Sequence, residues 1–215
     1  MIQIDPSDAR LIGFILLLLV PLLVADGLIE ARGRYNSAFW ASDLGRKLEH
    51  IPEYSRHWKW IGFWLILMLS AATSGLSAFS VLLSHAGEGP LAAVALSSFL
   101  LGAFGFLAGI FLQFGPSEMA ARVRRDTGAT PGWLEPMWTA ATWAETTYVV
   151  LASFAYVVWG LAMVNSGFPS AWAGWASIAI GGLSVVGVMI APARLGFPQL
   201  PLLVPVVVGL ALVIS

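Results

Sequence analysis

Apolar residues in this chain come in long, nearly unbroken runs. They show neither the two-fold alternation of a half-buried strand nor the one-sided stripe of a surface helix. In lipid every backbone polar group must be satisfied within its own segment, so a spanning helix needs about 20 mostly apolar residues. Six runs approach that length: about Ser7 to Leu28, Trp60 to Leu83, Leu91 to Phe114, Pro136 to Val164, Ala171 to Ile190, and Pro198 to Ile214. The pattern predicts an all-α integral membrane bundle of six transmembrane helices, one transmembrane domain over residues 1–215. The first run is expected to stay as a membrane helix and not to act as a cleaved secretory leader, because Asp5-Pro6-Ser7-Asp8 is acidic and no Ala-x-Ala follows. Asp5 suits a helix cap, Pro6 the first helical position, and Asp8 the positive first turn.

The polar segments between the runs predict orientation. Arg32, Arg34, Arg46, Lys47, Arg56 and Lys59 follow the first run, Arg122, Arg124 and Arg125 the third, and Arg194 the fifth. The remaining loops carry none, and the N-terminal end carries Arg10 alone, so the basic loops are expected on the cytoplasmic side and both termini outside. Ser42 to His50 reads as a short helix capped by Ser42. Pro116 to Arg125, followed by Gly128, reads as a separate interfacial helix between the third and fourth spans. Its arginines Arg122, Arg124 and Arg125 are placed to meet lipid headgroups, and they also serve simply to set topology.

Composition agrees with the pattern. Of 215 residues, 58% are hydrophobic and 11% charged, against about 45–50% and about 25% in soluble domains. Mean hydropathy is +0.82. The net charge of −1 lacks the basic surplus of a nucleic-acid binder. No cysteine is present, which excludes disulfides, thiolate catalysis and Cys-ligated metals. The histidines, His50, His57 and His85, fall at loop or helix-end positions without a recognised ligand spacing, so no metal site is expected. Both lysines, Lys47 and Lys59, are loop residues, so no Schiff base forms inside the bundle. Phosphate-loop, dinucleotide and zinc-protease motifs are absent as well. An enzyme is the least supported class, and no cofactor can be named. The bilayer is the expected partner, with other membrane subunits or a second copy beside it.

Small residues mark where helices approach closely in lipid. Ser98, Gly102, Gly105 and Gly109 form one stripe, and Ala173, Ser177, Gly181 and Ser184 another. Packing within the chain is the default use of both; packing between copies is the alternative.

Ionisable residues within spans are costly and so are candidates for function. Glu145 lies inside the fourth run, where Trp138, Ala141, Glu145 and Tyr148 share a face. That face reads as a pocket wall with one carboxylate, aromatic rings and hydroxyls, or as a structural hydrogen bond to a neighbouring helix. Asp26, with Glu30 and Arg34 following at helical spacing, reads as a second candidate or as an interfacial charge cluster. Of the ten tryptophans, Trp64, Trp138, Trp143 and Trp159 lie within spans, where a tryptophan can contact a ligand or serve as packing.

The stretch Ala155-Tyr-Val-Val-Trp-Gly-Leu-Ala-Met-Val-Asn-Ser-Gly-Phe-Pro-Ser-Ala-Trp-Ala-Gly-Trp175 and the one from Gly181-Gly182 to Gly196-Phe-Pro-Gln-Leu-Pro201 resemble small bacterial six-helix membrane proteins of unknown function. The resemblance implies fold and topology only, in a bacterial cytoplasmic (inner) membrane. The leading functional expectation is a non-enzymatic accessory subunit or binder of an apolar small molecule or lipid. The alternative is a small secondary transporter or proton-coupled permease using Glu145. A third is a lipid-modifying enzyme using Arg122, Arg124 and Arg125.

Overall fold

Asp5 opens the first helix. Its Oδ1 accepts the Ser7 backbone N–H at 2.8 Å and the Ser7 hydroxyl at 2.7 Å, which satisfies one of the donors a helix start leaves free. The computed structural model describes residues 5–31, 44–51, 55–190 and 200–215, and these are helices and short turns with no strand among them. The elements are α1 (Pro6–Leu17), α2 (Leu19–Ala31), α3 (Leu44–His50), α4 (Ser55–Leu83), α5 (Gly89–Thr127), α6 (Leu134–Ser166), α7 (Ala171–Ile190) and α8 (Leu203–Ile214).

The first expected span is α1 plus α2, interrupted at Leu18, whose own backbone is still right-handed helical. Pro21 explains the interruption, since it has no N–H to return to the Leu17 carbonyl. Ser42, the expected cap of α3, lies outside the described residues.

Between α4 and α5 the chain reverses through a π turn, Ser84–Glu88, in which Gly87 adopts φ 99°. A side chain would strain that backbone. The reversal sets the two helices antiparallel: Lys59 Nζ meets Glu118 Oε1 at 3.2 Å, and Gly62 faces the ring of Phe114.

By length and composition, four stretches are able to cross a membrane: Pro6–Ala25, Lys59–Thr127, Leu134–Ser166 and Ala171–Ile190. The second is the α4–α5 hairpin, so it supplies two antiparallel arms. At the expected sixth span the described residues hold a 3-10 turn, Leu200–Leu202, and then only the 12 residues of α8. Alone, α8 reaches roughly 18 Å at 1.5 Å per residue, short of the hydrocarbon thickness.

One expectation is corrected. No separate interfacial helix follows the third span, because α5 continues unbroken for 39 residues from Gly89 to Thr127 with Pro116 inside it. The Ser117 hydroxyl donates to the Gln113 carbonyl across the proline. The shift from apolar to charged residues marks where α5 leaves the apolar zone, and the helix itself ends only at Gly128, φ 74°.

From α4 to α8 each helix packs on the next in the chain, α3 packs on α5, and α8 returns to pack on α1. Large apolar side chains lie both inside (Leu16, Phe79, Phe99) and on the outer surface (Phe104 at 75% and Met189 at 78% exposure). Hydrophobicity therefore does not separate inside from outside; backbone approach does. A Cβ on Gly13 would lie 2.9 Å from the Gly209 carbonyl oxygen, and one on Gly209 would lie 2.9 Å from that of Gly13. Gly160 on α6 and Gly174 on α7 are likewise reciprocal, each Cβ position 2.7 Å from the other's carbonyl. A Cβ on Gly181 would lie 2.7 Å from the Ser153 carbonyl oxygen, and Ser177 is buried on the same face of α7.

Two predictions follow from these contacts. Gly174→Ala must push backbone away and is expected to lose about 1–3 kcal/mol, whereas Gly182→Ala, with nothing within 4 Å, should gain up to about 1 kcal/mol from helix propensity. Thermal unfolding in detergent compares them, and equal behaviour of the two variants would refute the seam.

The Asp5 carboxyl is held below its ordinary value by the Ser7 hydroxyl first and the Ser7 N–H second. A depressed carboxylate stabilises above its unfolded-state pKa and loses that contribution as pH falls through the folded value. Amide-exchange protection in the first turn of α1 should therefore be full at neutral pH and fall on acidification. Asp5→Asn should keep the cap and remove the pH dependence.

Candidate functional site

Glycines bring α5 and α6 into backbone contact. Cβ positions on Gly102, Gly105 and Gly109 fall 3.3 Å from the Tyr148 carbonyl, 3.2 Å from that of Ala144 and 3.3 Å from that of Ala141. The face of α6 holding Ala141, Glu145 and Tyr148 is thus laid along the glycine face of α5. The Glu145 stem sits against Gly109, whose Cβ position is 3.1 Å from the Glu145 Cγ.

At this seam Gln113 Nε2 donates to Glu145 Oε1 at 2.7 Å. Gln113 is only 7% exposed, and Glu145 is half-buried. A bond from a buried amide to an acidic oxygen is stronger than its counterpart in water. Gln113 lies one and a half helical turns before Glu118, roughly 7.5 Å along α5 at 1.5 Å per residue. The carboxyl therefore sits just inside the Lys59–Glu118 ion pair, at the basic end of the bundle.

The rest of the expected pocket wall is distributed differently. Trp138 is half-buried against the core, and Trp143, 69% exposed, faces outward. The threonines around Glu145 do not turn their donors to it: Thr139, Thr142, Thr146 and Thr147 each donate to the carbonyl four residues earlier. Tyr148 is fully buried and stacks on Phe106 with ring centroids 4.8 Å apart. Deeper along α6, Tyr156 and Trp159 cluster with Phe99, centroids 5.7–6.0 Å apart. Trp159 Nε1 donates to Ser80 Oγ on α4 at 3.0 Å.

Asp26 lies on α2, but its side chain is outside the described residues. The three arginines separate: Arg122 and Arg125 are exposed, while Arg124 bonds Glu49 of α3 at 2.8 Å and the Thr130 hydroxyl at 2.6 Å. Arg124 thus pins α3 to the end of α5, beside buried Leu48 and Ile51. Among the described residues no cluster of three or more histidine, aspartate or glutamate side chains is placed to hold a metal.

Sequence reasoning missed Gln113 and Ser80, the partners of two candidate side chains. Gln113 is the one amide in its apolar run, which is the signal that points to it. No family model, no curated protein and no solved structure matches the chain.

The Arg124–Glu49 pair is partly exposed, so Glu49→Gln is expected to cost only about 0.2–1 kcal/mol. Its clearer effect should be local: faster amide exchange over Leu44–His50, with α6 unchanged. Exchange in α3 identical to the parent would show that the pair does not hold it.

Proposed function

We propose that this chain is a small proton-linked membrane permease of six crossings, with the basic loops cytoplasmic, both termini outside, and Glu145 as the proton-binding group. The observation carrying this reading is the Gln113–Glu145 hydrogen bond inside the bundle. An acidic side chain in a spanning helix is expensive and marks ion or proton pathways. Here the acid is built in beside a dedicated amide, near the basic end and within one turn of buried Tyr148. Two groups of helices with tight internal contacts, α1 with α8 and α5 with α6 and α7, suit the rocking of one part against another.

A second reading, a non-enzymatic accessory subunit or binder of an apolar small molecule or lipid, is favoured by one observation. The interior aromatic cluster of Phe99, Phe106, Tyr148, Tyr156 and Trp159 is apolar with polar tips, as small-molecule sites tend to be.

The two readings part in proteoliposomes loaded with a pH dye. Under an imposed pH gradient, the permease reading expects proton flux that Glu145→Gln abolishes while the size-exclusion profile is kept. Gln113→Leu should shift the pH at which flux is half-maximal. Flux equal in the parent and in Glu145→Gln sinks the role given to Glu145. A protein without flux that carries a defined adduct in native mass spectrometry is the binder.

A further inference from the structure

Three hydroxyls of the α6 core, those of Tyr148, Ser153 and Tyr156, have no hydrogen-bond partner within the protein, and the two phenols among them lack even a nearby backbone acceptor of their own turn to explain them. Tyr148 and Tyr156 are each 0% exposed, and neither hydroxyl has a hydrogen-bond partner within the protein. Tyr148 is flanked by Phe106 and Tyr156 by Phe99 and Trp159, rings that offer no acceptor in their plane. A polar pair beside Tyr156, Trp159 with Ser80, is complete, because the Ser80 hydroxyl accepts from the indole and donates to the Leu76 carbonyl. A buried hydroxyl without a partner costs about 1–3 kcal/mol, and native proteins satisfy nearly all such groups with protein or ordered water. The two phenols lie about two turns apart on one helix and interact with each other without completing a hydrogen bond.

We propose that Tyr148 and Tyr156 form a binding site for internal water in the bundle, at least one molecule bridging the two hydroxyls. Water is the class that fits, because the site is enclosed by rings already in mutual contact and presents two hydroxyls, the minimum that a buried water uses. The site stands on these hydroxyls and does not need Glu145 to carry protons. It places a wet link one turn inward from Glu145.

The test is infrared difference spectroscopy of the full-length protein in lipid, exchanged from ordinary water to H2(18)O, on the parent, Tyr148→Phe, Tyr156→Phe and the double variant. An isotope-sensitive water band present in the parent and lost in both single variants is expected. Thermal unfolding supplies the second reading. With a bridging water, either phenylalanine lowers Tm and the double variant loses less than the sum, since both remove one shared molecule. With dry, unpartnered hydroxyls, phenylalanine raises Tm. A raised Tm, a water band unchanged in the variants, or a non-water adduct seen by native mass spectrometry and lost in Tyr148→Phe would each overturn the assignment.

Discussion

How near one helix backbone can come to another decides this architecture. A lipid-embedded helix gains little by burying its apolar side chains, because lipid is as apolar as the protein interior. The exposed Phe104 and Met189 beside the buried Phe99 and Leu16 show that indifference directly. What distinguishes an inward face is the absence of a Cβ. Gly13 meets Gly209, Gly160 meets Gly174, and Gly102, Gly105 and Gly109 meet the carbonyls of α6. Dispersion contacts and weak Cα–H···O contacts accumulate only at such distances.

The site follows from that packing. With backbones this close, Gln113 and Glu145 face each other across the seam at hydrogen-bonding distance. Farther along the same helix, α6 presents Tyr148, Tyr156 and Trp159 to α4 and α5, and these wide rings fill the core between the three helices. Small residues therefore bring the helices together on two sides of α6 while large ones fill the third. This is how one helix carries both a carboxyl and an aromatic core without a break in its hydrogen bonding.

Much of the fold was legible in the chain. The C-terminal end of α4 and both ends of α7 match the expected runs, because a run of apolar residues bounded by Gly or polar residues has one cheap conformation in lipid. The glycine stripe of α5 was legible too, since spacing of three and four fixes a face. Gly13, Gly160 and Gly209 were not read from the sequence, because a close contact needs a partner helix and the partner cannot be read from spacing. The end of the third run misled for a different reason. Hydropathy reports where the solvent changes, whereas helix termination depends on backbone preference, and only Gly128 supplied that. Glu145 was found by its charge. Gln113 escaped because a neutral amide leaves no mark on a charge count, although its cost in lipid is real. The threonines around Glu145 add nothing to the seam, because a hydroxyl on a helix has its own backbone as nearest acceptor.

The continuity of α5 through Pro116 gives the molecule a mechanical property. Its backbone stays helical from Gly89 to Thr127, so the segment packed on α6 and the segment that bears Arg124 belong to one helix. From Gln113 to Thr127 that helix extends roughly 21 Å at 1.5 Å per residue, so each 3° of tilt at the Glu145 level displaces its tip by about 1 Å. Through Arg124 and Glu49 the tip carries α3 with it. A small change of tilt at the seam would therefore arrive at α3 enlarged, by the length of the helix alone.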